Sequence, residues 1–232
     1  IIKNCLIADN YGRSGGGIFI EGNGNYVLTN LTIVNNSSFE GSGGGGLFVS
    51  RLSNSVLVNS ILWGNTMGEL PNEIMVDAFN VNEGSVSSLT LYNSVVKGGT
   101  GGIVVEDGST FNNQGVYSFD PQFVNGFEYV GDGTNNSYEL NDNSPAISAG
   151  VNSFDFNGNV YIVENSGGLL GVATPTPENT VVDLGAFENE NGVGDYTGST
   201  YYADASRNYG NGSLENPFPS IQAAINAASN GN

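Results

Sequence analysis

The feature of this sequence that most constrains its fold is a seven-residue motif that recurs four times before residue 100. Each copy begins with Asn, continues through a short, mostly apolar stretch and closes on Asn or Gly. Successive copies are spaced by 26, 29 and 34 residues. Repeats of roughly 20 to 50 residues are typical of stacked architectures. The copies are NCLIADN at 4–10, NLTIVNN at 30–36, NSILWGN at 59–65 and NSVVKGG at 93–99.

A second element accompanies this motif at nearly the same period, with spacings of 29, 27 and 29 residues. Its copies are GIFI at 17–20, GLFV at 46–49, EIMV at 73–76 and GIVV at 102–105. Short β-rich segments with Gly or Asn at the corners, and no helical periodicity, favour a coil of parallel strands. In such a coil each rung buries its apolar face against its neighbours. The sequence therefore predicts an all-β solenoid, namely a right-handed parallel β-helix.

The first residue of the motif is always asparagine. Asparagine tolerates the left-handed backbone region that a corner requires, and its amide can hydrogen-bond to an identical amide in the next rung. We therefore expect a structural ladder along the stack, formed by Asn4, Asn30, Asn59 and Asn93.

Alternation along the motif assigns its side chains to two faces of a strand. The positions expected to point inward are Cys5, Ile7, Leu31, Ile33, Ser60, Leu62, Ser94 and Val96. The positions expected to point outward are Leu6, Ala8, Thr32, Val34, Ile61, Trp63, Val95 and Lys97.

The outward set is unusually apolar, and two interpretations of it stand. Ile61 and Trp63 could form a binding face for a sugar or for another chain. The loop 66–72 could instead cover them, which is the favoured interpretation because isolated apolar surface residues are common.

Composition excludes several classes of function. The chain has no histidine and one cysteine, so histidine-dependent triads, the usual zinc spacings and an internal disulfide are ruled out. Five basic residues against 23 acidic ones argue against nucleic acid as a partner. The sequence contains no run of 18 apolar residues, the length that would indicate a membrane span.

Catalysis has little support in the sequence, so no catalytic residue is assigned and a non-enzyme is favoured, with an enzyme left open. Lys97 is the best single candidate for a basic group, but an isolated lysine beside a glycine turn is usually solvated surface. Paired carboxylates for glycoside hydrolysis could be aligned only by knowing the register of the rungs.

A structural calcium ion is the one cofactor that the sequence favours. Residues 120–200 hold 12 acidic residues and no basic one. Within them, Asp155, Asn157 and Asn159 offer hard oxygen ligands around a glycine turn. The other ligands of a complete calcium loop are missing from this segment, so an ordinary turn is the alternative.

Three blocks after the last repeat carry a resemblance to a known family. They read DPQFVNG at 120–126, YELNDNSPAISAG at 138–150 and VDLGAFE at 182–188. In this order they resemble the C-terminal end of choice-of-anchor Q domains, which belong to the pectin-lyase-like superfamily of β-helix proteins. The arginine that commonly follows an Asp-x-Asp/Asn-Gly segment in that family is missing here. Without the family, the blocks can be explained as an end cap, closed by Phe123, Ile147, Leu184 and Phe187.

The last segment, 201–232, resembles the opening of the same superfamily and predicts a short α-helix at 219–229. Such an end followed by a start implies modules in tandem. We expect the C-terminal rungs of one β-helix at 1–119, its capping region at 120–190, a linker at 191–200 and the start of the following module at 201–232.

These patterns favour a non-catalytic repeat module of a large secreted or cell-surface bacterial protein, serving as an adhesin or a structural rod. The alternative is a polysaccharide-binding or polysaccharide-degrading β-helix module. The expected partners are extracellular polysaccharide or cell-surface glycans and the adjacent modules of the same chain. The resemblance implies an exported bacterial protein outside the cell.

Overall fold

The computed structural model describes the repeat region almost completely and the later part of the chain in pieces. The residues described are 1–39, 41, 43–78, 86–106, 108–124, 138–141, 144–147, 149–151, 153–163, 182–187, 200–206, 212–214, 217–218, 221 and 224.

The described chain is built almost entirely of short strands, with one 3-10 turn at Gly99–Gly102. The strands of the repeat region are β1 (Ile2–Ala8), β2 (Tyr11–Gly12), β3 (Ile18–Ile20), β4 (Gly24–Val34), β5 (Ser37–Ser38), β6 (Leu47–Val49), β7 (Ser53–Val58), β8 (Ile61–Trp63), β9 (Thr66–Met67), β10 (Leu70–Pro71), β11 (Ile74–Val76), β12 (Ser88–Val96), β13 (Ile103–Val105) and β14 (Thr110–Tyr117). A hairpin follows, formed by β15 (Ser153–Phe156) and β16 (Asn159–Ile162).

Strands β1–β14 form three sheets, which together we call the stack. Sheet A runs β1-β4-β7-β12-β14, with β8 paired to both β4 and β12. Sheet B runs β2-β5-β9-β10 and sheet C runs β3-β6-β11-β13. All pairs are parallel except β9 with β10. The prediction of an all-β fold with parallel strands is confirmed.

The repeats explain the order of strands, because each repeat contributes to the sheets in the same sequence. We call each such set a layer: β1–β3, β4–β6, β7–β11, β12 with β13, and β14 alone. Equivalent residues lie in register across the layers. In sheet C, for example, the β-pairing aligns Ile18 with Leu47, Leu47 with Ile74 and Ile74 with Ile103.

The inward face of the motif forms the main core, as alternation predicts. Ile33, Leu62 and Val96 are fully buried in one cluster, and Cys5 and Ile7 pack against it. The inward serines stay buried because they bond to backbone of the neighbouring layer. The Ser60 hydroxyl accepts from the Leu31 amide at 3.1 Å, and the Ser94 hydroxyl accepts from the Ser60 amide at 3.1 Å.

The outward face of sheet A lies beneath another part of the chain. We call this part the cap; it consists of the described residues between 119 and 163 together with 182–187. Val34, Ile61, Trp63 and Val95 form a second buried cluster with cap residues. The cap members of that cluster are Phe119, Phe123, Tyr138, Leu140, Ala146, Ile147, Ala149, Leu184, Ala186 and Phe187.

Two details of the cover differ from the sequence-based expectation. Leu70, in the loop expected to shield the apolar stripe, is 58% exposed, while cap residues contact the stripe. Phe123, Ile147, Leu184 and Phe187 were expected to close the open end of the coil, but they pack against the side of sheet A. Alternation gives a side chain's face, whereas the segment that covers this face is set by long-range packing.

The cap continues over the first half of sheet A with the β15–β16 hairpin. Phe154 and Phe156 pack on Val27, Val56 and Val58 in a third cluster. The hairpin therefore shields the part of the outward face that precedes the Asn corner.

Several predictions near the C-terminus fall largely outside the described residues. Of the predicted helix at 219–229, residues 221 and 224 are described, and both are helical. Residues 191–199 of the predicted linker are not among the described ones, so the domain boundaries stay predictions. No helix within the described ranges is long and apolar enough to cross a membrane.

Candidate functional site

The four predicted ladder asparagines all adopt the left-handed backbone conformation. Their φ angles are 52° at Asn4, 52° at Asn30, 49° at Asn59 and 37° at Asn93. An amide-to-amide bond joins the first two, with Asn30 Nδ2 donating to Asn4 Oδ1 at 3.1 Å. The corner conformation explains why asparagine recurs at this place in the motif.

The other two asparagines of this column hold the cap. Asn59 Nδ2 donates to the Val151 carbonyl at 2.8 Å, and Asn59 Oδ1 accepts from the Val151 amide at 2.9 Å. Asn93 Nδ2 donates to the Ala149 carbonyl at 3.2 Å. The column is therefore a ladder in the first two layers and a docking line for the cap in the next two.

A second asparagine ladder runs through the last position of the motif. Asn10 Nδ2 donates to Asn36 Oδ1 at 2.9 Å, and Asn36 Nδ2 donates to Asn65 Oδ1 at 2.9 Å. Asn36 and Asn65 are fully buried. Asn36 Oδ1 also accepts from the Asn10 backbone amide at 3.1 Å, and Asn65 Oδ1 accepts from the Asn36 backbone amide at 2.9 Å. We call this set the amide ladder.

The amide ladder ends on a buried carboxylate. Asn65 Nδ2 donates to Glu73 Oε2 at 2.6 Å, and the Asn65 and Gly64 amides donate to the same carboxylate at 3.1 and 2.9 Å. The Glu73 residue is 1% exposed. Burial raises the pKa of Glu73 from 4.5 to about 7, while the bonds from Asn65 and Gly64 and the nearby Lys97 charge act in the opposite direction.

Sequence reasoning missed this ladder, although two departures from the repeat mark its end. The motif position that holds Asn10, Asn36 and Asn65 is occupied by Gly99 in the fourth copy. The second element begins with glycine in every copy except the third, where it begins with Glu73. The amide ladder loses an asparagine side chain at Gly99, and Glu73, which stands at a glycine position of the second element, supplies a polar side chain instead.

The two predicted ligand-binding residues lie under the cap. Ile61 is fully buried and Trp63 is 7% exposed. The Lys97 ammonium lies 5.6 Å from the centre of the Trp63 ring, within range of a cation–π contact. A sugar would reach this indole only after displacement of the cap.

The three predicted calcium ligands form the turn of the hairpin. Asp155 Oδ1 accepts from the Gly158 amide at 3.1 Å, and Asn159 Nδ2 donates to the Asn157 carbonyl at 3.3 Å. Asn157 also bonds to the stack, through Asn25 at 3.0 Å and Asn54 at 3.2 Å. These contacts hold the turn together and dock it on the stack.

Among the residues that the structure describes, no group of three or more His, Cys, Asp or Glu side chains is placed to hold a metal ion. Calcium binding remains a prediction.

Two further pairs of aromatic rings lie in or beside the strands of sheets B and C. The Phe19 and Phe48 rings stack with centres 5.0 Å apart, and Phe19 is 40% exposed. Tyr11 and Phe39 meet edge to face at 5.0 Å and are 66% and 49% exposed. The shared third position of GIFI and GLFV could have indicated the first pair. The second pair lies outside both repeated elements.

Comparison of the chain with protein-family models, with curated proteins and with solved structures finds no match.

Proposed function

We propose that the stack is a right-handed parallel β-helix. We further propose that the chain is a non-catalytic module of a large secreted or cell-surface bacterial protein, acting as an adhesin or a structural rod. The handedness follows from a general rule: connections between parallel strands of one sheet are right-handed in about 98% of cases. The passage from β1 through β2 and β3 to β4 is such a connection.

One observation carries the rod-like role: buried polar side chains connect successive layers. Asn36 and Asn65 bond from layer to layer, and Glu73 ends their ladder. A separate contact ties the cap to the end of β1, where the exposed Asp9 accepts from the Tyr138 hydroxyl at 3.1 Å. Such contacts stiffen a stack, and they leave these groups engaged with the protein itself.

The extracellular bacterial setting rests on the resemblance of the three C-terminal blocks. Residues from all three blocks meet in one hydrophobic cluster, represented by Phe123, Ala146 and Leu184. The three blocks, which are separate in the sequence, thus pack together in the cap. The tandem arrangement of modules and a structural calcium ion belong to the same proposal.

Incubation of the protein with neutral and uronate polysaccharides, with and without calcium, tests the non-catalytic assignment. We expect no new reducing ends and no unsaturated ends. Formation of either product, at a rate above that of a heat-unfolded control, would overturn it.

The adhesive role is tested in the parent protein at the cell surface. Deletion of residues 1–187 removes the stack and the cap together, so attachment to the native surface should fall. Attachment that survives this deletion at equal surface display would exclude the adhesin and leave the structural rod.

The exposed rings of Tyr11, Phe39 and Phe19, the last stacked on the buried Phe48, favour glycan binding as a second candidate function, since such rings serve as contact surfaces. The double substitution Tyr11→Ala/Phe39→Ala should then weaken binding to the preferred polysaccharide at least tenfold, as should Phe19→Ala. Val160→Ala removes apolar surface from the hairpin, where Val160 is 71% exposed, and should leave binding unchanged. If the aromatic variants bind the polysaccharide as tightly as the unmodified protein and Val160→Ala do, these rings are excluded as a glycan site.

A further inference from the structure

We propose that Glu73 is a proton-operated lock at the end of the amide ladder. In this proposal, its proton tightens the fold as the surroundings become mildly acidic, and Trp63 senses the change through Gly64 and Lys97.

The Glu73 carboxylate occupies the position of a ladder amide. Within the ladder, one side-chain oxygen of Asn65 accepts both the backbone amide and Nδ2 of Asn36, each at 2.9 Å. The Glu73 carboxylate accepts the same two groups of Asn65, at 3.1 and 2.6 Å. Glu73 thus replaces the amide of a missing fourth asparagine with a group that can bind a proton.

The carboxylate occupies space beside the column of glycines that begins the second repeated element. A Cβ atom added to Gly17 would lie 3.1 Å from Asn36 Nδ2, and one added to Gly46 would lie 2.8 Å from Asn65 Cγ. One added to Gly102 would lie 3.2 Å from Glu73 Cγ. The glycine column therefore leaves room for a ladder side chain, and Glu73 fills that room in the third step of the ladder.

Few charged groups surround the carboxylate among the described residues. The Gly64–Asn65 corner contributes no titratable side chain, and neither does Gly102 or Leu47, which bond to the Glu73 backbone. Directly after β12 the neighbouring charge is Lys97, whose field lowers the pKa of Glu73. Burial outweighs this field and the hydrogen bonds, so the pKa is raised from 4.5 to about 7.

The raised pKa fixes the sign of the effect. The folded protein holds the proton more tightly than the unfolded chain, so the stabilisation is complete below about pH 4.5. It is lost as the pH rises through about 7. Ionisation leaves a buried negative charge, which the field of Lys97 offsets only in part.

The chain provides its own reporter, because Trp63 is the single tryptophan of the sequence. Its peptide neighbour Gly64 donates to Glu73, and Lys97 lies against its ring. Emission of Trp63 and the amide resonances of Gly64 and Asn65 should titrate together with a midpoint near the Glu73 pKa of about 7. Acidification from about pH 8 to 5 should raise the Tm by roughly 5 to 10 °C.

Glu73→Gln mimics the protonated state and should abolish all three titrations, with a Tm that changes less between the two pH values. Lys97→Met removes the field that lowers the pKa, so it should move the midpoint of the amide resonances to higher pH. Glu69→Gln is the matched control, because Glu69 is exposed and lies in the loop 66–72 that precedes Glu73. The amides and Trp63 emission of this variant should titrate as they do in the unmodified protein.

Either of two results would overturn the proposal. One is a titration of the Gly64 and Asn65 amides that persists in Glu73→Gln. The other is an unmodified protein whose amides and Trp63 emission stay constant between about pH 5 and 9.

Discussion

Asn65 is the residue where the buried hydrogen bonds of the amide ladder converge. Its Oδ1 accepts two bonds from Asn36, and its Nδ2 donates to the Ile33 carbonyl at 2.8 Å and to Glu73. A single side chain thus satisfies polar groups of two layers.

We therefore expect Asn65→Ala to lower the free energy of unfolding by about 3 kcal/mol, because buried polar groups left unsatisfied cost about 1–3 kcal/mol each. Asn10→Ala, at the exposed start of the same ladder, should cost less than about 1 kcal/mol. Urea denaturation followed by circular dichroism measures both values. Equal losses would show that burial does not decide the strength of the ladder.

Only part of this chemistry could be predicted from the sequence. The left-handed corners at Asn4, Asn30, Asn59 and Asn93 follow from the recurrence of asparagine, because few other residues tolerate that conformation. The role of each amide depends on what lies beside it. The carbonyl partners at Ala149 and Val151 are distant in sequence, and no local pattern identifies them.

At the scale of the strand, close approach of the layers depends on glycine. A Cβ atom at Gly46 would lie 2.6 Å from the Glu73 carbonyl oxygen, which is backbone of the next layer. Neighbouring strands are held about 4.8 Å apart by their hydrogen bonds, so the layers cannot move apart to admit it.

Gly46→Ala should therefore lower the free energy of unfolding by about 1–3 kcal/mol, the usual cost of overpacking. Gly101→Ala is the matched control, because a Cβ atom there meets nothing within 4 Å. It should change stability by less than about 0.5 kcal/mol. A Gly46→Ala protein that is as stable as the control in thermal unfolding would contradict the close packing seen between β6 and β11.

The two faces of sheet A differ in how far sequence could predict them. A period of two places Ile33 and Leu62 inside, and the structure confirms it. The same period places Val34 and Trp63 on the other face, where they pack beneath residues more than a hundred positions away, such as Leu184. Alternation predicts the direction of a side chain and carries no information about a distant partner.

For the molecule as a whole, the cap joins layers that would otherwise contact only their neighbours. Its cluster contains Ala8 from the first layer, Val34 from the second, Trp63 from the third and Val95 from the fourth. In a simple solenoid, stability is a sum of nearest-neighbour terms and the ends can open separately. The cap adds contacts that span the layers and should make unfolding more cooperative.

Leu184→Ala tests this coupling, since Leu184 is fully buried between the cap and the stack. We expect a loss of about 2–5 kcal/mol from the cap interface, as for other buried leucines. The amide hydrogen-exchange rates of the layers should then differ, and β1 and β14 should exchange faster than β7. Uniform exchange across all layers in Leu184→Ala, at the rate of the unmodified protein, would show that the cap does not couple them.

A cap that lies along the side of the layers also limits how many of them it can cover. A repeat inserted between β6 and β7 would extend sheet A by one strand, whereas the cap residues that bond to Asn59 and Asn93 would keep their length. The new strand would either stay bare on its outward face or pull the cap off its neighbours. Insertion of a single repeat beneath the cap is thereby penalised, so the cap fixes the number of layers that it spans.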